Sequence, residues 1–295
     1  MRHSQLRAFH YVAHLGGFSK AAEVLHLTQP AVSEQVKNLE VENDVLLFER
    51  KKRQVVLTSA GEELFHLTKQ YFDIETQIGE YLSERNAAVS GELRIVADSA
   101  QHVTDVLAKF RANYPNVRIS LRSGNSEEIL DQLRQYNAEI GVVGQVPTSR
   151  ELTSLSIGAS EIIAFARRGT LKEGAAGMTM QQIAQYPLIF REERSRTRQM
   201  VVDEAAKLGV ALEPAIVAEG REAVRSIVLS GGGIGFVSEA EYSHDDRIEQ
   251  IPILNVDTRM PESIVHLAQR GEVRVIRSFM DLANRYLSTE TGGPE

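Results

Sequence analysis

Residues 27–40 read LTQPAVSEQVKNLE, and this stretch decides how the first part of the chain folds. Thr28 is a hydroxyl residue suited to capping a helix. Pro30 then falls in the first turn, where its missing N–H would have had no intrahelical partner. The proline therefore starts a helix. Val32, Val36 and Leu39 form one apolar stripe along it. Gln29, Ser33 and Lys37 follow one another at four-residue spacing on a different face, with Pro30 and Glu34 beside them. Periodicity alone leaves that polar row open to two readings: a surface turned to solvent, or one turned to a ligand.

Toward the N-terminus, Leu6, Phe9, Val12 and Ala13 mark a helical apolar face that Gly16-Gly17 ends. Ser19 is suited to N-capping a short second helix, KAAEVLH, whose alanines permit close packing. Two helices joined by a tight turn, the second polar at its exposed start, are what a helix-turn-helix requires. The Gln29 amide can bond an adenine edge, Ser33 can reach a base or phosphate, and Lys37 can pair with phosphate. Ser19, Thr28 and Pro30 complete the candidate set on this side.

Toward the C-terminus, VLLFERKKRQVVLT places the block RKKR, residues 50–53, before the strand-forming Val55, Val56 and Leu57. A hairpin after a helix-turn-helix is a wing, which puts Arg50 and Arg53 near phosphates or the minor groove. The whole chain carries a net charge of −7, yet residues 1–57 hold eight Lys/Arg against six acids, a net +2. Local charge decides phosphate contact more than the total does. Leu64, Leu67, Tyr71, Ile74, Ile78 and Tyr81 then alternate spacings of three and four, a heptad seam. Such a seam pairs two copies or packs on its own domain; we expect a dimer presenting two reading helices. NAAVSG, residues 86–91, reads as a linker.

Composition fits an ordinary globular protein: 42% hydrophobic and 25% charged. Without cysteine, disulfides and thiolate metal sites are excluded, which fits a reducing compartment. The N-terminus lacks an apolar signal core and no run reaches spanning length, so we expect a cytoplasmic protein with no membrane partner.

AFHYVAHLGGFSKAAEVLHLTQPAVSEQVKNLE followed by LLFERKKRQVVLTSAGEEL resembles the N-terminus of LysR-type transcriptional regulators. The resemblance implies a multidomain α/β chain: a winged helix-turn-helix over 1–58, a dimerisation helix and hinge over 59–90, and a two-lobed α/β effector domain over 91–295 built like a periplasmic binding protein. It further implies homodimers or homotetramers that bend double-stranded promoter DNA, work with RNA polymerase and respond to a small molecule. Glu34 departs from the basic or neutral polar residue of many relatives. An acid there repels phosphate but can accept from a cytosine amino group.

From Gly91 strand and helix patterns alternate, arguing for parallel α/β units. We expect lobe I over about 91–160 and 266–295, and lobe II over about 161–265. The resemblance implies crossing strands between the lobes and a ligand in the cleft. Residues 88–295 sum to −5, so this part is not the nucleic-acid surface. Ligands of open α/β sheets sit beyond C-terminal strand ends, near helix N-termini. That selects Ser99 and Ala100, the turn at Asn125, Gly144, and Val237 at the end of a later strand. In FREERSRTRQM, Ser195 and Thr197 open a helix, and Arg194 and Arg196 stand where relatives often carry glycines. Free amides with guanidinium groups suit an anion, so we expect an anionic effector and no cofactor or metal. The arginines facing solvent, or pairing with Glu192 and Glu193, is the competing reading.

SGGGIGF, residues 230–236, precedes a strand and lacks dinucleotide-loop spacing; it reads as a helix-to-strand turn. His10 and His14 lie one turn apart with no evident third ligand. Two other classes remain to be weighed. A solute-binding protein would need a signal peptide, and an α/β enzyme would need a nucleophile–base pair or phosphate loop. STETGGPE, the last eight residues, reads as a disordered tail.

Overall fold

A computed structural model of the chain describes residues 1–51, 54–82, 89–144, 146–147, 149–171 and 177–290. Contacts divide it into Met1–Ala87 and Ala88–Glu295.

In the first unit, α1 (His3–Leu15), α2 (Phe18–Leu25) and α3 (Gln29–Glu42) enclose a core of Phe9, Val12, Ala21, Val32, Val36 and Leu39. Gly16, at φ 69°, closes α1 in the left-handed conformation that glycine adopts without strain. The N-cap of α2 is Gly17, not Ser19. The cause is Phe18, which packs edge-on to Phe48 with ring centroids 5.8 Å apart and draws the helix start forward. Thr28 caps α3 as expected, accepting from the Ala31 N–H at 3.4 Å. The antiparallel hairpin β1 (Phe48–Lys51) and β2 (Gln54–Leu57) follows, with Arg50 opposite Val55. Arg53 lies outside the described residues.

The long helix α4 (Ser59–Leu82) begins on this core, and Leu64 packs against it. Leu64 therefore serves its own domain, because the first turns of α4 lie over the hairpin and α1. Gly61 permits that approach: a Cβ there would meet the Leu47 carbonyl oxygen at 2.1 Å. From Leu67 through Tyr71, Ile74, Ile78 and Tyr81 the seam is exposed. Of the expected linker, residues 86–91, the first three lie outside the described residues, and Gly91 already opens the next strand.

The second unit runs through β3 (Gly91–Ala97), α5 (Thr104–Asn113), β4 (Val117–Ser123), α6 (Ser126–Arg134), β5 (Ile140–Val143) and β6 (Leu152–Arg167). It continues with β7 (Met178–Thr179), α7 (Met180–Ile183), β8 (Leu188–Arg191), α8 (Arg196–Lys207), β9 (Pro214–Ala218) and α9 (Arg221–Leu229). Then come β10 (Ile234–Ser238), β11 (Ile248–Ile251), β12 (Ile253–Leu254), β13 (Arg259–Leu267) and α10 (Arg274–Glu290). One sheet runs β4-β3-β5-β13-β6-β10-β8-β9, with β11 on β6. The strands β3, β4 and β5 are parallel to one another, as are β8, β9 and β10. The antiparallel pair β6 and β13 crosses between these two sets.

Two boundaries move. Ser263, Ile264 and Val265 pair with β5, so the chain is already in lobe I before residue 266. The register shift between Glu262 and Ser263 marks the crossing. At the C-terminus α10 extends through Glu290, so Ser288–Glu290 are helical, and residues 291–295 lie outside the described set. Each lobe has its own core, with Phe110, Ile140 and Phe279 in one, and Phe190, Val201 and Ile234 in the other. The glycine run does turn α9 into β10: a Cβ on Gly233, at φ +143°, would meet the Pro187 carbonyl oxygen at 2.0 Å.

Candidate functional site

The exposed face of α3 follows from its buried one. Val32, Val36 and Leu39 are at most 2% exposed, which turns Gln29, Pro30, Glu34 and Lys37 to solvent and leaves Ser33 at the margin. Glu40, overlooked in the sequence, fixes the hairpin beside this helix. Its carboxylate accepts from the N–H groups of Leu47 (2.8 Å) and Phe48 (3.2 Å). A polar helix start flanked by a hairpin is an arrangement that can lie in a major groove.

His10 and His14 stack with centroids 6.0 Å apart, and His10 also bonds Thr68 at 3.1 Å. Burial first, then the His14 and Lys69 charges, lower the His10 pKa to about 4. It is a neutral packing residue under ordinary conditions.

In the second unit the C-terminal ends of the parallel strands surround a cavity of about 1300 Å³. Ala100, Asn125, Arg194 and Val237 line it. A small chamber adjoins it, walled by Asp98, Asn125, Ser126, Ser195, Arg196 and Thr197 among others. Asn125 caps α6 through a reciprocal pair, accepting from the Glu128 N–H at 3.0 Å while the Glu128 carboxylate accepts from the Asn125 N–H at 3.1 Å. Ser195 caps α8, accepting from the Arg198 N–H. Two helix N-termini thus meet at the chamber.

Two expected residues stand behind this wall. Ser99 is fully buried and accepts from Arg221 at 2.9 Å. Gly144 donates its N–H to Asp98 Oδ2 at 3.0 Å, and a Cβ there would meet Met260 Sδ at 3.1 Å. Arg194 lies at the exposed rim and pairs with Glu127 at 3.4 Å, not with Glu192 or Glu193. Glu192 pairs instead with Arg191 at 2.6 Å. Arg196 keeps a buried Nε without a hydrogen-bond partner.

A charged cluster that sequence reading missed occupies the cleft floor. Arg221, at the start of α9, reaches from lobe II to the Asp98 carbonyl and Ser99 in lobe I, and pairs with Glu241 at 3.2 Å. Behind it His102 Nε2 lies 3.4 Å from Glu262 Oε1. Burial first, then the Asp98 and Glu241 charges, push Glu262 up to about 9, against Arg221. Glu262 is therefore a neutral acid near pH 7, close to His102 but not hydrogen-bonded to it, and burial lowers the His102 pKa as well. One signal was available. Met260, Glu262 and Ile264 alternate on the buried face of β13, where a lone acid is out of pattern.

A helix-turn-helix with a hairpin, joined to a two-lobed α/β unit with a polar cleft, defines a ligand-responsive DNA-binding protein. Residues 3–62 match the bacterial regulatory helix-turn-helix protein domain of the lysR family, and residues 86–288 match the LysR substrate binding domain. The chain belongs to the LysR family of transcriptional regulators; it is not an enzyme. It is 31% identical over 236 residues to the RuBisCO operon transcriptional regulator of Allochromatium vinosum, covering 79% of this chain and 78% of that one. It is 30% identical to the HTH-type transcriptional regulator CfxR of Cupriavidus necator, covering 92% and 86%. A full-length OxyR variant from Pseudomonas aeruginosa shares the fold at TM-score 0.76, with 20% identity over 96% of this chain and 95% of that one. Full-length CbnR complexed with its target DNA shares it at TM-score 0.69, with 19% identity over 97% and 99%. Among the described residues no helix is long and apolar enough to cross a membrane.

Proposed function

We propose that this regulator acts in the cytoplasm as a homodimer or homotetramer on promoter DNA with two half-sites. A small anionic effector in the cleft sets its activity. The observation that carries the DNA reading is the polar row of exposed Gln29, half-buried Ser33 and exposed Lys37 above a fully buried stripe. Gln29 reads a base edge, Ser33 and Lys37 hold the phosphates, and the hairpin carrying Arg50 and Arg53 holds the neighbouring backbone. Ser19 and Thr28, exposed near helix starts, add phosphate contacts, while exposed Glu34 accepts from a cytosine. The exposed α4 row from Leu67 to Tyr81 supports self-association. The two helix N-termini and the unpartnered Arg196 Nε support an anion. Effector binding favours one of two lobe arrangements, and the change reaches RNA polymerase through half-site spacing or DNA bend.

The test is a footprint on DNA flanking its own gene, with a salt titration. Wild type protects a two-fold symmetric site that survives competitor DNA. Gln29→Ala weakens that site ~10- to 100-fold and leaves non-specific binding unchanged. Loss that is equal on all sequences would assign Gln29 to the backbone instead.

A further inference from the structure

We propose that Arg221 is the latch that holds the two lobes of the second unit in place, and that an anion in the cleft acts by drawing its guanidinium away from lobe I, so that the lobes part. This rests on the anionic-effector reading and supplies its mechanical step.

The hold between the lobes is polar. Among the described residues, each apolar cluster of the second unit draws its side chains from one lobe. Across the cleft, Arg221 at the start of α9 donates to the Asp98 carbonyl and, at 2.9 Å, to Ser99 Oγ. The Arg194–Glu127 pair also crosses, but its side chains are 66% and 64% exposed, where water screens the attraction. The chain itself crosses in the antiparallel pair β6 and β13. Their register slips between Glu262 and Ser263, beside Gly158 at φ +121°, and such a break lets a strand pair bend.

The partners of Arg221 differ in charge and in lobe. Its carboxylate partner, Glu241 at 3.2 Å, belongs to lobe II and moves with it. Its acceptors in lobe I are a carbonyl and a hydroxyl, both neutral. A guanidinium takes an oxyanion through two parallel bonds and prefers it to a neutral oxygen. An anion can therefore replace the lobe I acceptors and leave the Glu241 pair intact. It can also reach its target: Arg221 lines the cavity of about 1300 Å³ with its side chain 24% exposed, whereas Ser99 is fully buried. Arg225, one turn further along α9, lines the same cavity and shares Asp245 with Arg247. Two guanidiniums thus stand on one carboxylate, and the surplus offsets the Glu241 charge. Asp98 then sets the direction of movement. Burial first, then the Glu241 charge, raise its pKa to about 6, against the Gly144 and Ser99 amides and Arg221, which leaves it ionised at pH 7.5. An anion seated on Arg221 brings a second negative charge against this lobe I carboxylate, and parting the lobes relieves the repulsion.

The experiment measures distance and affinity on the full-length protein at pH 7.5 and constant ionic strength, with inorganic phosphate as the probe. The chain has no cysteine, so Ala108→Cys on α5 and Ala206→Cys on α8, both exposed, take one spin label in each lobe. Excess unlabelled protein keeps labelled chains apart. Phosphate is expected to lengthen the distance in the otherwise wild-type chain. Arg221→Gln should show the longer distance without phosphate and bind phosphate at least tenfold more weakly by calorimetry. Ser99→Ala removes a competing acceptor and should bind phosphate several-fold more tightly; it decides the matter if Arg221→Gln fails to fold. A distance that Arg221→Gln leaves unchanged, or that bound phosphate leaves unchanged, overturns this inference. Equal phosphate affinity of wild type and Arg221→Gln overturns it too, as does weaker binding by Ser99→Ala. The anionic reading survives each of these. Absence of phosphate binding to wild type overturns both.

Discussion

The exposed face of α3 and the floor of the cleft solve opposite problems with the same kinds of residue. On α3, Gln29 and Lys37 stay in solvent above an apolar stripe, and their hydrogen-bonding capacity remains available to a partner. In the cleft, Asp98, His102, Arg221, Glu241 and Glu262 are drawn out of solvent and set against one another. The first arrangement costs the fold little, because exposed polar groups suffer no desolvation. The second costs stability and needs either partners or protons to persist. Recognition on α3 can therefore be altered without unfolding, whereas the cleft couples recognition to stability.

The largest expected effect probes what lies beneath the α3 face. Phe9 is fully buried, its ring centroid 5.3 Å from that of Phe48. Phe9→Ala removes this contact and is expected to cost ~3–5 kcal/mol. Denaturant unfolding followed by circular dichroism should show an early transition for the first unit, with DNA binding lost. Anion binding by the second unit should survive. If anion binding fell in parallel, the separation of the two regions would be wrong.

A second effect belongs to the cleft floor and depends on pH. Glu262 has its pKa raised from 4.5 to about 9 in the folded chain. Its stabilising contribution is complete below the unfolded value and is lost as pH rises toward 9, because ionisation in this site is opposed. Glu262→Gln mimics the protonated acid and removes the titration. Relative to wild type it should gain stability from pH 5 upward, reaching ~2 kcal/mol or more near pH 8. Thermal melts in a pH series measure this. Parallel wild-type and variant curves would mean that Glu262 does not hold a proton.

The same contrast explains what the sequence disclosed. The α3 face was legible because cap, proline, apolar stripe and polar row repeat within one helix, where neighbours in space are neighbours in sequence. Most strands of the second unit were legible as apolar runs. The first half of β6, TSLSIGAS, was not, because serine, threonine and glycine obscure the alternation that Leu155 and Ile157 provide. The chamber was half legible: Asn125, Ser195, Arg196 and Thr197 sit at helix starts, which sequence marks. Asp98, Arg221 and Glu241 were not, since each is an ordinary charged residue until the topology gathers strand ends from both lobes. Heptad spacing placed Leu64 with Tyr81, yet spacing cannot say where a long helix leaves its own core.

The smallest effects sharpen the comparison because the same device serves both regions. Thr28 caps α3 with a single bond of 3.4 Å, while Asn125 caps α6 through bonds of 3.0 and 3.1 Å in both directions. Thr28→Ala should cost ~0.5 kcal/mol and Asn125→Ala ~1 kcal/mol, by urea unfolding of each unit's transition. Their functional consequences should diverge more than their stabilities. Fraying the first turn of α3 loosens Gln29 and Pro30, but DNA itself can order them, so operator affinity should fall only a few-fold. Fraying α6 removes amides that would meet an anion at the cleft wall, and a small anion makes too few contacts to restore that turn. Anion affinity should therefore fall about tenfold for Asn125→Ala. Equal functional losses at the two caps would show that the reading helix is as preorganised as the cleft, and that DNA does not help to order it.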